Sequence, residues 1–203
     1  NNQPGNPFAM GGASSTITIP SIMISQADGN AIISQLNSGN PVNATLQSQG
    51  GNFDRDGDFD NGIIAHEYGH GISIRLTGGP ATSGCLSGGE QMGEGWSDYF
   101  ALFMTLDTNV ISRGIGTFAV DQPITGQGIR PAPYSPDFNV NPFTYAATNN
   151  TANISQPHGV GFVWCTMLWD LTLELVDVFG FDPVFYEGTG GIFLALHLVM
   201  DGL

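Results

Sequence analysis

His66, Glu67 and His70 stand in the run His66-Glu67-Tyr68-Gly69-His70, and their spacing can do metal chemistry. On a helix, four residues make about 1.1 turns, so both imidazoles leave one face with their bases about 6 Å apart. That is the reach needed to share one Zn²⁺ through Zn–N bonds of about 2.1 Å. Glu67 is set slightly aside, where it could hold a water and take its proton. Taken alone, the pattern also fits two ordinary polar positions on a helix. A second run, Met92-Gly93-Glu94-Gly95-Trp96-Ser97-Asp98, changes the balance. A catalytic zinc wants three protein ligands and one open position. Glu94 lies 24 residues beyond His70 and can be the third ligand. Asp98 is one helical turn further along the same face, placed to accept the Nδ1–H of a ligand histidine and so fix its tautomer.

Helices must hold these side chains. The first zinc run falls in a helical segment over Asn61–Leu76, opened by Asn61, with Ile63, Ile64 and Ile72 on the core face. The second falls in a segment over Glu90–Leu106. Further helices are expected over His158–Phe179, stopped by Gly180, and over Gly191–Asp201. Residues 107–157 show no sustained period and read as irregular chain with short strands. Upstream, residues 1–14 read as loop. Thr16–Ser25 reads as a strand, Ala27–Leu36 as a short helix with Ile32, Ile33 and Leu36 on one side, and Pro41–Leu46 as a second strand. The fold class expected is α+β: a small β-α-β piece over residues 1–47, then a mainly helical region over residues 48–203.

The stretch IIAHEYGHGISIRLTGGPATSGCL…MGEGWSDYF, residues 63–100, resembles the signature of the fungalysin metalloendopeptidases, which are similar in plan to thermolysin. The resemblance continues through Gly128-Ile129-Arg130, Pro133-Tyr134-Ser135, Asn141–Tyr145, His158–Trp164 and the closing LVMDGL, and covers roughly residues 55–203. It implies the helical half of a thermolysin-like catalytic domain. His66, His70 and Glu94 would bind one zinc ion, Glu67 would be the general base, and His158, at a helix start after Gln156-Pro157, would steady the oxyanion. Thermolysin-like enzymes take a tyrosine donor from between the paired histidines and the third ligand. This chain has no tyrosine between His70 and Glu94. Tyr145 is the preferred substitute, with Tyr134 the other candidate. Thr16–Leu46, through IPSIMISQADGNAII, resembles the end of a protease-associated domain. The resemblance also implies a secreted protease made as a zymogen, with protein or peptide substrates and a propeptide as partners.

Composition agrees with an extracellular setting. Eighteen acidic residues face four arginines and no lysine, for a net charge of −14. Such a surface repels phosphate backbones and anionic lipid, so neither nucleic acid nor a membrane is expected as partner. The apolar stretches Val160–Trp169 and Ile192–Met200 fall short of the roughly 20 residues that span a bilayer. The opening residues carry no basic and apolar leader pattern, and both ends read as cuts through a larger protein. Cys85 and Cys165 fit no metal spacing and could form one disulfide or stay as two thiols. His197 reads as a core histidine. Asp54–Gly62 has aspartates at alternate positions. A Ca²⁺ loop is one reading, but the glycine offset is wrong and no closing Glu is present, so an acidic turn leading into a helix fits better. Three glycosylation sequons begin at Asn43, Asn149 and Asn153. The competing functional reading is a non-catalytic extracellular module stabilised by Zn or Ca, or an inactive fragment.

Overall fold

The structure is a computed structural model and describes residues 24–43, 55–107, 109–150 and 152–203. The chain divides into two units between residues 52 and 53. In the first, α1 spans Gln26–Asn37, one residue longer at each end than the sequence pattern suggests. Ser25 caps it, its Oγ accepting from the Asp28 N–H at 3.1 Å. Ile32, Ile33 and Leu36 are all exposed. The strand expected over Thr16–Ser25 lies outside the described residues up to residue 23, and Ile24 and Ser25 are not strand. Of the second expected strand, 41–43 are irregular and 44–46 lie outside. Of the β-α-β piece, only the helix is present among the described residues.

The second unit is helical. Four helices follow one another: α2 (Asn61–Gly78), α3 (Gly93–Met104), α4 (His158–Phe179) and α5 (Gly191–Asp201). Each packs on the next, α2 on α3, α3 on α4 and α4 on α5. Tyr99, Phe100 and Leu102 of α3 meet Phe162, Val163, Cys165 and Trp169 of α4 in the core, joined by Tyr134 and Ile154 from the connection between them. α2 and α4 both stop at glycines with positive φ, Gly79 at 78° and Gly180 at 80°, where an ordinary residue would be strained.

Three expectations need correcting. Residues 107–157 contain no strand among those described. Two isolated bridges, Arg113 with Tyr134 and Ile115 with Gly128, and a 3-10 helix over Tyr145–Asn149 replace the short strands. Gly116 and Gly128 take positive φ there and break any extended run. The core face of α2 is isoleucine only in part: Ile72 packs against the core, but Ile64 is 49% exposed, and the buried residues are Ala65, His66, Gly69 and Ser73. These small or polar side chains let α3 come close. Asp60, not Asn61, opens α2. Its Oδ1 accepts from the N–H groups of Gly62 and Ile63, and its Oδ2 from that of Ala119. Both carboxylate oxygens are thus engaged by backbone, as a helix-opening turn requires and a Ca²⁺ ligand does not. Asp56 likewise caps the 3-10 helix Gly57–Phe59; Asp54 lies outside the described residues. Cys85 and Cys165 are both free thiols.

Candidate metal centre

The centre is built where three helices converge. His66 and His70 project from α2, Glu94 from the first turn of α3, and His158 is the first residue of α4. Close approach of the backbones sets the geometry. A Cβ on Gly69 would lie 2.8 Å from the Cα of Ser97, so α2 and α3 touch backbone to backbone. A Cβ on Gly161 would lie 2.5 Å from the Gly95 nitrogen and 2.6 Å from the Glu94 Cβ. α3 and α4 therefore cross at a glycine pair, directly behind Glu94.

Ligand-type atoms of His66, His70 and Glu94 all lie within 4.8 Å of one another. They form the one such group of three or more His, Cys, Asp or Glu among the described residues. His66 Nε2 is 3.3 Å from Glu94 Oε2, and His70 Nε2 is 3.6 Å from Oε1. Glu94 is only 9% exposed, and its Oε2 is buried without a hydrogen bond. That oxygen lies 3.3, 3.5 and 3.7 Å from His66 Nε2, His158 Nε2 and Arg130 Nη2 without a hydrogen bond to any, so positive charge surrounds it and a cation among the ligand atoms would complete its coordination. Two imidazoles and one carboxylate are also the donor set of a three-ligand catalytic zinc with one position left open. The residues present therefore fit a zinc ion.

A second layer of polar contacts fixes His66. Its Nδ1 is 2.6 Å from Asp98 Oδ1, so Nε2 is the nitrogen left facing Glu94 and His70. Asp98 is fully buried. Arg130 grips it with Nε on Oδ2 at 2.6 Å and Nη2 on Oδ1 at 2.8 Å, and the Tyr134 hydroxyl donates to Oδ2. Arg130 Nη2 also lies 3.7 Å from Glu94 Oε2. Burial pushes the Asp98 carboxyl upward, but Arg130 and His66 outweigh it and hold the pKa down at about 2. Burial alone would lower the His66 pKa; Asp98 and Glu94 overcome it and raise the value to about 9. His70 is shifted down by burial and by the charge of His66. Glu94 is shifted down because His66, His158 and His70 outweigh its desolvation.

The other expected site residues fall as follows. Glu67 is on the exposed side of α2 beside His66. His158 has a side chain 56% exposed, with Nε2 3.5 Å from Glu94 Oε2. Tyr145 is 67% exposed and lines a separate cavity with Glu90, Met92 and Gln156. Tyr134 is fully buried and committed to Asp98, so it is not free to serve as an oxyanion donor. His197 is exposed rather than in the core, its ring 4.3 Å from that of Phe193. The grip of Arg130 and Tyr134 on Asp98 was missed from sequence. The one available signal was the scarcity of cations: with four in the chain, a buried acid has few partners to choose from.

Comparison with known proteins identifies the family. The family described as fungalysin metallopeptidase (M36) matches residues 1–203. The chain is 42% identical over 157 residues to extracellular metalloproteinase 10 of Coccidioides posadasii, covering 73% of this chain and 24% of that protein. It is 42% identical over 160 residues to extracellular metalloproteinase 1 of Trichophyton equinum, covering 73% and 25%. It is 43% identical over 160 residues to extracellular metalloproteinase 2 of Arthroderma gypseum, covering 73% and 24%. The chain thus matches about a quarter of the length of these curated relatives. With the paired histidines, Glu94 and the match along its whole length, this chain belongs to the fungalysin metallopeptidase family.

Proposed function

We propose that this chain carries the metal-binding and catalytic residues of a secreted zinc endopeptidase that hydrolyses peptide bonds of extracellular proteins. The observation that carries the reading is the convergence of His66, His70 and Glu94 on one point, with the unbonded Glu94 Oε2 among them. These three would hold the ion. When bound, zinc would polarise the scissile carbonyl and lower the pKa of a water.

This chain's own groups account for the remaining work. Asp98 holds the proton on His66 Nδ1 and so presents Nε2 as the donor. Glu67, exposed on α2 one residue from His66, takes a proton from the attacking water and delivers it to the leaving amine. His158 stands at the exposed start of α4, its Nε2 3.5 Å from Glu94 Oε2, and donates a hydrogen bond to the oxyanion as charge develops. Two of the three parts lie on α2 and α4, whose approach to α3 is set by glycine contacts, so the catalytic groups are pre-positioned by the packing. The names of the relatives, all extracellular metalloproteinases, support secretion and a protein substrate; a propeptide partner follows from the same family reading.

The test replaces Glu67 with Gln in the zinc-loaded protein. Zinc content by metal analysis should stay at one ion per chain, while cleavage of a quenched peptide falls below detection. Undiminished turnover rejects the assignment. His158→Ala should lower kcat by about 100-fold or more with a small change in KM, as loss of an oxyanion donor does; a change confined to KM would remove it from that role.

A further inference from the structure

Large apolar side chains of α2 lie on the side turned away from α3. Its small and ligating residues face α3, while Ile64, Tyr68 and Leu76 are exposed. A helix that carries apolar residues on both sides is normally covered on both. The exposed row runs from Ile64 through Tyr68 to Arg75, with Ile72 and Leu76 beside it, at the spacings that share one helix face. From Ile64 to Leu76 it advances about 18 Å. Within it lies a groove of about 410 Å³ lined by Tyr68, Gly71, Ile72, Arg75, Leu76 and, from α5, Met200. Arg75 is the one charged residue in that lining.

Arg75 decides what the groove accepts. Arg55 pairs with Asp121 and Arg130 with Asp98, and the buried Arg113 donates to the carbonyl oxygens of Leu102 and Thr105. Arg75 is exposed and meets no carboxylate among the described residues. Its one hydrogen bond there runs from Nη1 to the Gly71 carbonyl of its own helix, at 3.3 Å. An unpaired guanidinium beside an apolar wall fits an aliphatic side chain that stands next to a carboxylate. A small molecule fits poorly. Tyr68 is 67% exposed, whereas ligand pockets enclose most of what they bind. A stripe of this length suits a polypeptide segment instead. A second copy of this chain is opposed by mutual repulsion, since each carries a net charge of −14. The curated relatives offer another source: the stretch this chain matches is about a quarter of their length.

We propose that this outer face of α2 is the seat of a segment from the longer polypeptide, beyond these 203 residues, which lays aliphatic side chains on Tyr68, Ile72 and Leu76 and brings a carboxylate to Arg75. Burial of the apolar side chains supplies the affinity, because an exposed ion pair alone is weak, and Arg75 fixes the register. Benzoylphenylalanine at Tyr68, in the full-length polypeptide that contains this chain, identifies the occupant. On irradiation it should crosslink to one segment outside residues 1–203 of the same polypeptide, with an aspartate or glutamate beside aliphatic residues, as read by mass spectrometry. Thiol labelling of Leu76→Cys is the second readout, counted above the labelling of Cys85 and Cys165 in the unsubstituted protein. It should be rapid in the 203-residue chain and lost in the full-length polypeptide. Arg75→Glu should restore it in the full-length polypeptide, while Arg75→Lys, which keeps the charge, should leave the site protected. All three positions are exposed, where substitutions cost the fold little. A crosslink confined to residues 1–203, one to a second copy or to another protein, or none at all, overturns the proposal. So does labelling at Leu76→Cys that is equally fast in both polypeptides or indifferent to charge reversal at Arg75.

Discussion

Arg130 and Asp98 form a doubly hydrogen-bonded ion pair buried in the helical unit. Asp98 is fully buried, and both its oxygens are taken by Arg130, with His66 and Tyr134 sharing them. Removing one partner of a buried pair leaves the other charge uncompensated, at a cost of about 3–5 kcal/mol. Arg130→Met should therefore destabilise the protein strongly in chemical denaturation. It should also weaken zinc binding by about 10- to 100-fold, because the carboxylate that orients His66 is released. The pH dependence follows from the sign. The Asp98 pKa lies at about 2, below its ordinary value of 3.8, so its stabilisation is complete above 3.8 and lost as pH falls through about 2. Without Arg130 the loss should begin at higher pH, moving the midpoint of acid unfolding upward. An acid midpoint equal to the parent's would show that Arg130 does not hold the carboxyl down. Asp98 itself was legible from sequence, because i,i+4 on a helix places it below Glu94. Its partners were not. They come from an aperiodic connection 32 and 36 residues away, where no repeat ties sequence distance to space.

At the scale of elements, the glycines at the helix crossings hold Glu94 where it is. Gly161→Ala would set a methyl 2.5 Å from the Gly95 nitrogen, against backbone that has nowhere to go. Overpacking of this kind costs about 1–3 kcal/mol, and here it would push α4 away from the Glu94 turn. The expected outcome is a lower Tm together with weaker zinc affinity. Gly71→Ala is the control: it lies mid-helix on α2, with the nearest atom to a new Cβ the mobile end of Arg75 at 3.9 Å. It should raise stability by about 0.5–1 kcal/mol through helix entropy alone. If both substitutions behave alike, the crossing is not the determinant. The extents of α4 and α5 match the sequence expectation residue for residue, because Gly180 and Gly191 bracket strong apolar periods, whereas α3 begins three residues later and ends two earlier than expected. The face of α2 was read only in part: Ile72 packs on the core as expected, but apolarity alone misplaced Ile64. The helix in fact buries its small and ligating residues against α3 and leaves Ile64, Tyr68 and Leu76 exposed.

For the whole molecule, an ion held by the proposed site would tie α2, through His66 and His70, to α3, through Glu94. An ion that binds the folded chain and not the unfolded one adds about 2.7 kcal/mol at a free concentration 100 times its Kd. Chelation by phenanthroline should lower the Tm, and zinc should restore it. The size of that shift depends on pH. Without the ion, Asp98 and Glu94 keep a proton on His66 up to a pKa of about 9. Zinc needs the neutral ring, so below about pH 9 binding must expel a proton. The zinc-induced rise in Tm should therefore be largest near pH 9 and shrink steadily toward pH 6, rather than holding level down to the ordinary histidine range. Calorimetry in buffers of different ionisation enthalpy should record close to one proton released per zinc at pH 7.5. Asp98→Asn supplies the internal check. Losing the carboxylate removes the main raising influence on His66, so its pKa falls, proton release at pH 7.5 diminishes, and the pH slope of the Tm shift flattens even as zinc affinity drops. A proton count near zero in the parent would mean that His66 is already neutral in the metal-free chain, and that the Asp98 contact does not set its charge.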